Sequence, residues 1–306
     1  MAPTKPTKVA TQARSATKAR SGRTSTASVA LVPVPKPTDD GTLEDPRRSD
    51  VDEWGRSERV RAIARQLYGP MYRSWHRVEW EGLEHVPTTG GALLVSNHAG
   101  AIPPDAVAIM HGIETELGRP VYGLADEIFK QLPVVGTLWS RGGGVLAHPD
   151  NAYRLLREQH QLALVFPEGT KGTGKTYGER YQLRRFGRGG FVQIAMRAGV
   201  PIIPIAVVGA EEAMPILWKS PQLAKLVGLP YVPLTANMIA FGPLGAALTL
   251  PAKIKIRVLP PVHFDVEPDQ PRYSRSRIMD ESEHIRQQIQ EALYDMLRVR
   301  KSVWFG

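Results

Sequence analysis

Three short apolar segments of this chain each run directly into polar residues or glycine. They span residues 92–96 (ALLVS), 162–166 (LALVF) and 200–208 (VPIIPIAVV). Apolar runs of this length, bounded by turn residues, are typical of buried strands. Elsewhere apolar residues recur at intervals of three and four, as in 191–199 and 285–297, which predicts helices. Strands and helices that alternate in this way indicate an α/β fold.

Polar residues suited to catalysis follow the first two strands. Asn97 and His98 end the first, and Asp105 comes shortly afterwards. The second ends in a carboxylate, a glycine, a hydroxyl and a cation: Glu168, Gly169, Thr170 and Lys171. Open α/β sheets collect their reactive groups outside the carboxyl ends of the strands. We therefore expect the two strand ends to form one site.

Three blocks of the sequence, in this order, resemble the glycerolipid acyltransferase family of the bacterial lysophosphatidic-acid acyltransferase type. They are Asn97-His98 with Asp105, the Phe-Pro-Glu-Gly-Thr run at 166–170, and the Val-Pro-Ile-Ile-Pro run at 200–204. The resemblance covers about residues 75–265. It implies a single acyltransferase domain with a mixed central sheet flanked by helices. It also implies an acyl donor that is a thioester of coenzyme A or acyl carrier protein, and no cofactor.

The resemblance gives His98 and Asp105 the roles of a catalytic dyad. Histidine titrates in the range that a general base needs, so His98 would take the proton of the acceptor hydroxyl. Asp105 would hold the imidazole in one tautomer and stabilise the imidazolium. The alternative for Asp105 is a helix N-cap. By the same resemblance Asn97 and residues 168–171 bind the acceptor.

The sequence departs from the family pattern in two places. Six residues separate His98 from Asp105 where four are usual, and we expect a bulge to absorb the extra two. The arginine that contacts the acceptor's phosphate in the family is replaced by Ala147 or His148, and Arg141 is the nearby candidate for its role. The expected acceptor is a lysophospholipid such as lysophosphatidic acid. The alternative is a neutral mono- or diacylglycerol, because the Pro-Asp-Asn segment at 149–151 looks more like the neutral-lipid branch.

Residues 169–176 also match the phosphate-loop expression G-x-x-x-x-G-K-[ST]. That motif requires a helix that opens at the Lys-Thr pair. Residues 177–187 contain two glycines and no apolar stripe, so the context is missing. A nucleotide hydrolase therefore stands as a remote alternative. If the loop instead binds the acceptor, Lys175 is expected to be dispensable for acyl transfer.

A glycine-rich, basic segment precedes the predicted helix 191–199. Exposed amides and the positive end of the helix dipole make such an entry an anion site. Arg185, Arg188 and Gly189 are the candidates for holding phosphates of coenzyme A or of an acidic lipid. The alternative is a solvated basic turn.

Composition narrows the remaining classes. The chain has no cysteine, which excludes disulfides, thiol nucleophiles and cysteine-ligated metals, and no metal site is expected. No apolar run reaches the 18 residues of a spanning helix, and no signal peptide is recognisable. The sequence therefore predicts a cytoplasmic protein that associates peripherally with a membrane.

Charge and periodicity divide the chain into three parts. Of the net charge of +9, the acid-free residues 1–37 hold +7, from four lysines and three arginines. Residues 1–50 are expected to be a disordered basic tail that solubilises the protein or touches anionic lipid, with nucleic-acid binding a remote alternative. Residues 51–80 read as an amphipathic helical segment that Gly69-Pro70 breaks or kinks, for core packing or a bilayer interface. Residues 81–306 would form the acyltransferase domain.

Overall fold

The computed structural model describes residues 50–99, 104–126, 133–220, 222–224 and 231–306. These residues fall within one compact unit that spans 49–306. The predicted basic tail, apart from residue 50, lies outside the described residues. Within them, no helix is both long enough and apolar enough to cross a membrane.

The described residues contain nine strands, seven of which form one sheet. The strands are β1 Glu79–Glu81, β2 Ala92–Ser96, β3 Val121–Ala125, β4 Gly144–Leu146, β5 Leu162–Val165, β6 Ile202–Val208, β7 Ile216–Ser220, β8 Val232–Thr235 and β9 Lys255–Val258. The order in the sheet is β1-β9-β6-β2-β5-β3-β4, and β7 and β8 form a separate antiparallel hairpin. Only the β6–β9 pair of the seven-stranded sheet is antiparallel. The predicted mixed central sheet is confirmed.

Helices cover both faces of this sheet. They are α1 Glu58–Pro70, α2 Pro104–Leu117, α3 Pro133–Arg141, α4 Pro149–Tyr153, α5 Thr170–Thr173, α6 Gly190–Ala198, α7 Ala210–Ala213, α8 Ala236–Phe241 and α9 Arg275–Val299. Short 3₁₀ turns occur at Leu83–His85, Tyr177–Glu179 and Gly242–Ala246. The described part of the chain is thus an α/β domain in three layers.

Strand β2 shows how the sequence places the two cores. All five of its residues are buried. Side chains alternate between the faces of a strand, so Leu93 packs with α6 and α9 while Leu94 packs with α2. A central strand buried on both faces reads as a continuous apolar run, which is the pattern seen in the sequence. In α9 the predicted apolar positions, including Ile285 and Leu293, are buried.

Two prolines lie inside regular elements of the structure. The first helix does not break at Pro70 but continues as a π-helical turn, Met71–Trp75, in which the His76 N–H donates to the Met71 carbonyl at 2.8 Å. In a π-helical turn each N–H bonds to the carbonyl five residues earlier instead of four. Pro204 lies inside the central strand β6, and its carbonyl accepts the Leu259 N–H at 2.8 Å.

A buried carboxylate joins α1 to α2. Glu114 accepts from Arg56 at 2.7 Å, from Arg65 at 2.6 Å and from the Nε of Arg61 at 2.8 Å. Burial raises the pKa of Glu114, but the Arg61 hydrogen bond and the charges of the three arginines outweigh it, and the pKa is lowered. The amphipathic helix is therefore attached to the domain through its charged face.

We expect Glu114→Gln to destabilise the protein by about 3–5 kcal/mol, because it leaves buried guanidinium groups without their anion. The measurement is the free energy of urea unfolding. Glu116→Gln is the control, since Glu116 is exposed on the same helix and its loss should cost less than about 0.5 kcal/mol. Equal, small effects of the two substitutions would contradict the anchoring role.

Candidate active site

The two strand ends singled out in the sequence meet at one edge of the sheet. β2 and β5 are parallel neighbours, with Val95 opposite Val165. His98 and Glu168 therefore follow adjacent strands at the same carboxyl edge, and the His98 N–H donates to Glu168 Oε1 at 3.0 Å. We call this edge, which carries His98, the catalytic edge.

His98 and Asp105 form a hydrogen-bonded pair. The His98 Nδ1 lies 3.0 Å from Asp105 Oδ2, and the aspartate side chain is fully buried. The same Oδ2 accepts the Ala99 N–H at 2.8 Å, and Oδ1 accepts the Ala106 N–H at 2.7 Å. Asp105 thus bonds to groups beyond its own helix, which a simple N-cap would not do. The expected bulge, residues 100–103, lies outside the described residues.

The imidazole of His98 is fixed on its face as well as at Nδ1. The Phe166 ring stacks against it with centroids 3.9 Å apart and planes 15° apart. Gly172 packs close by, because a Cβ on it would lie 2.9 Å from the His98 Cβ. The side chain of His98 is 12% exposed. With Nδ1 donating to Asp105, Nε2 is left as the basic nitrogen.

Glu168 has a different role from the one predicted. Its side chain is fully buried rather than open to an acceptor. Oε1 accepts the His98 N–H, Oε2 accepts the Arg184 N–H at 2.7 Å, and the Lys175 ammonium lies 3.4 Å from Oε2. These contacts use the carboxylate to position the backbone beside His98, which corrects its expected direct contact with substrate.

Lys175 and Glu211 complete this buried network. The Lys175 ammonium lies 2.9 Å from Glu211 Oε1, and the Tyr181 N–H donates to Glu211 Oε2 at 2.5 Å. Burial raises the pKa of Glu211 to about 7, against the opposing charge of Lys175. Sequence reasoning did not assign Glu211 to the site. The available signal was its position just after β6, the third strand to end at this edge.

This network also excludes the phosphate-loop interpretation of residues 169–176. The side chain of Lys175 is 2% exposed and engaged by two carboxylates, so it is not free for a nucleotide. The helix begins at Thr170 and ends at Thr173, before the Lys-Thr pair. Thr176 instead caps the 3₁₀ turn Tyr177–Glu179. Lys175 is thus a buried member of an ion-paired network, and its expected dispensability for acyl transfer stays a prediction.

The other residues at the strand ends divide into bonded and exposed groups. Asn97 is buried; its Nδ2 donates to the Val207 carbonyl at 3.0 Å and its Oδ1 accepts the Val207 N–H at 2.8 Å. It extends the pairing of β2 with β6, so these amide groups are not directed at a substrate.

The Gly169 N–H donates to the Phe166 carbonyl at 2.9 Å, and Gly169 has a φ of 56°. Thr170 and Lys171 are exposed, and their contact with an acceptor remains a prediction.

Arg141 lies at the opposite edge of the sheet, so the structure does not bring it together with His98. It ends α3, just before β4, and β4 runs parallel to β3 and so to β5 and β2. Its guanidinium donates to the Gly55 carbonyl at 3.3 Å. Ala147 and His148 follow β4 at the carboxyl edge. The direction of the crossover, which sequence spacing does not reveal, separates Arg141 from the catalytic edge.

The predicted anion site lies at the start of α6. Because α6 leads into β6, which begins at the far edge of the sheet, the start of α6 lies at the catalytic edge. Gly189 caps this helix with a φ of 74°, and a Cβ there would lie 2.5 Å from Ile278 Cγ2. Any larger residue at this position would clash with Ile278, so the packing against α9 requires glycine. Arg185 and Arg188 are exposed, and anion binding by them remains a prediction. No group of three or more metal-binding side chains occurs among the described residues.

The raised pKa of Glu211 predicts a pH-dependent stability. Between its ordinary value of 4.5 and about 7, the folded protein binds this proton more tightly than the unfolded chain. The wild-type protein therefore loses stability from this group as the pH rises through that window. The Glu211→Gln variant lacks this titrating proton. Its free energy of unfolding, measured relative to that of wild type at the same pH, should therefore rise by about 2–3 kcal/mol between pH 5 and pH 8.

Urea unfolding at several pH values measures this difference. Glu116→Gln, on the exposed face of α2, is the control and should show a constant difference from wild type. A pH-independent difference for Glu211→Gln would contradict the assignment.

Comparisons with known proteins indicate the family of this chain. A family model described as Acyltransferase matches residues 77–208, which contain the His98–Asp105 pair and the Glu168–Lys175 loop. A protein of Mycobacterium tuberculosis strain H37Rv, itself uncharacterized, is 38% identical over 263 residues, covering 84% of this chain and 72% of its own length. The human DGAT1/2-independent enzyme synthesizing storage lipids is 32% identical over 138 residues, covering 45% of this chain and 42% of its own.

One solved structure is also similar to this chain. The 1-acyl-sn-glycerophosphate (LPA) acyltransferase PlsC from Thermotoga maritima superposes with a TM-score of 0.46 and 18% identity, covering 79% of this chain and 84% of PlsC. The family match and the long mycobacterial alignment carry the assignment. The chain therefore belongs to the acyltransferase family, and the matched region holds both strand ends of the site.

Proposed function

We propose that this enzyme transfers a fatty acyl group from a thioester to a hydroxyl of a glycerolipid, with His98 as general base. The observation that carries the proposal is the hydrogen bond of 3.0 Å between His98 Nδ1 and the buried Asp105. It holds one tautomer, in which Nε2 accepts a proton. The partly exposed position of His98 leaves that nitrogen within reach of a substrate.

The proposed reaction is a single acyl transfer. His98 Nε2 takes the acceptor's hydroxyl proton as its oxygen attacks the thioester carbonyl. A C–O bond forms, the C–S bond breaks, and the proton passes to the leaving thiolate. Asp105 stabilises the imidazolium that exists between these two proton transfers. General-base help supplies about 10²–10⁴-fold, and alignment of the two substrates supplies much of the remainder.

The donor in this proposal is acyl-coenzyme A or acyl carrier protein. Both carry phosphates, and exposed cations lie around the catalytic edge at Lys171, Arg185 and Arg188. Charge-assisted hydrogen bonds to phosphate are the strong ones. We assign these cations to the donor.

The acceptor that we propose is an uncharged glyceride. Burial of a phosphomonoester requires strong cationic partners, and Arg141, the candidate for a bidentate clamp, lies at the other edge of the sheet. The human relative is named for the synthesis of storage lipids, which supports a neutral acceptor. The lysophosphatidic acid that the sequence favours becomes the second candidate, with Lys171 as its cation.

Peripheral attachment to a membrane belongs to the same proposal, because both candidate acceptors are lipids. One face of α1 and the following turn supports it: Ile63, Leu67, Met71 and Trp75 are exposed at intervals of four. An apolar stripe of this kind, among arginines, suits a bilayer interface.

We expect His98→Ala to lower acyl transfer by about 10²–10⁴-fold, because it removes the general base. Asp105→Asn should lose less, since it impairs orientation while the base remains. The measurement uses radiolabelled acyl-coenzyme A with monoacylglycerol in vesicles. His284→Ala, an exposed histidine on α9, is the matched control and should match wild type. A correctly folded His98→Ala protein with near-wild-type turnover would refute the mechanism.

A panel of acceptors tests the second part of the proposal. We expect kcat/KM for monoacylglycerol or diacylglycerol to exceed that for lysophosphatidic acid by about 10-fold or more, because a buried phosphate without a bidentate partner costs more than 1.4 kcal/mol. Arg141→Ala should leave this ratio unchanged. Preference for lysophosphatidic acid, lost in Lys171→Ala, would replace the neutral acceptor with the charged one.

A further inference from the structure

A second surface near the site exposes large apolar side chains. It is formed by the β7–β8 hairpin, α8 and the 3₁₀ turn Gly242–Ala246. Ile239 and Leu244 leave 63% and 77% of their surface exposed. We name this surface the apolar platform; its members are Trp218, Leu234, Ile239, Phe241, Leu244 and Leu248. Concentrated exposed apolar surface marks a site of interaction.

The platform is built against the domain by polar contacts. Asn237 is buried, and its Nδ2 donates to the Ala213 carbonyl at 3.2 Å and to the Leu248 carbonyl at 2.6 Å. The Leu250 N–H also donates to the Ala213 carbonyl, at 2.8 Å. The backbone of the platform is thereby fixed to the end of α7 while its apolar side chains face outward.

Charge indicates what this surface fits. The sequence has no aspartate or glutamate between Glu212 and Asp265. Of the cations in this segment, Lys253, Lys255 and Arg257 pair with Glu79 and Glu81 of β1, whereas Lys219 belongs to the hairpin itself. Solvated surfaces usually mix charges of both signs. An apolar surface that carries a lysine and no acid instead suits the interface of an anionic bilayer.

The platform adjoins the site and the apolar stripe of α1. Tyr231, just before β8, donates from its hydroxyl to Thr173 Oγ1 at 2.7 Å, and Thr173 ends the helix that follows Glu168. On the other side, Trp75 Nε1 donates to the Thr249 carbonyl at 2.9 Å. The first contact reaches α5, which follows Glu168, and the second reaches the exposed stripe of α1. The platform, the catalytic edge and the stripe are therefore contiguous.

We propose that the apolar platform inserts into an anionic bilayer and so brings the catalytic edge to an acceptor dissolved in that bilayer. The inference rests on the proposed function because it takes the acceptor to be a lipid. The apolar side chains enter the acyl-chain boundary, and Lys219 in the hairpin lies with the anionic head groups.

The test measures insertion at one residue of the full chain. Because the chain has no cysteine, Leu244→Cys gives one labelling position for an environment-sensitive fluorophore. Leu138→Cys, at an exposed leucine of α3, is the control. On vesicles of phosphatidylcholine and phosphatidylglycerol, we expect the label at 244 to shift to shorter wavelength and to be quenched by nitroxides on the acyl chains. The label at 138 should show neither effect.

Probe depth is the readout because the basic residues 1–37 would bind anionic vesicles by themselves. Ile239→Asp combined with Leu244→Asp should weaken partitioning by about 10-fold or more, since charges oppose insertion; circular dichroism checks that this variant is folded. A label at 244 that stays in water on vesicle-bound protein would overturn the proposal. So would a blue shift that grows with protein concentration without vesicles, which would assign the platform to a second copy. Failure of acyl transfer would leave this result unaffected.

Discussion

The buried carboxylate of Glu168 holds together parts of the site that are distant in the sequence. It accepts the backbone N–H of His98, 70 residues earlier, and that of Arg184, in the segment leading to α6. A carboxylate removed from water requires compensating partners, and Lys175 supplies the positive charge. The backbone beside His98 therefore depends on the ion pairs of Lys175 with Glu168 and Glu211.

A second set of contacts restricts the imidazole itself. Asp105 approaches it in the ring plane, and Phe166 stacks on its face. Because Gly172 has no side chain, the turn that contains it packs closely against the side chain of His98. Each contact comes from a different part of the chain, so the orientation of the base is a property of the assembled sheet edge. Preorganisation of this kind is what positions a general base for proton transfer.

The first helix is arranged in the reverse of the usual sense. Arg61 lies buried against Glu114, while Ile63 and Leu67 face outward. A surface helix of a globular domain normally turns its apolar stripe to the core. The reversal places apolar groups beside the platform and the catalytic edge, where a lipid substrate would approach. It also explains why the charged face of α1 carries the attachment to the domain.

The sequence by itself determined the elements whose signals are local. The strands at 92–96, 162–165 and 202–208 and the final helix follow from apolar runs and periodicity, because those patterns reflect which side chains must leave water. The pairing of His98 with Asp105 was expected from the resemblance to the acyltransferase family, and the geometry agrees with it. Tertiary structure decided everything that depends on direction or on a distant partner. Arg141 lies at the wrong edge because a crossover reverses the chain, and Lys175 is buried because Glu211, which is remote in the sequence, folds beside it. The apolar stripe of α1 has the same period whether it faces protein or lipid. Contacts with α2 fix which face is turned inward: the ion pairs of Glu114 and the rings of Tyr68 and Tyr72 against His111.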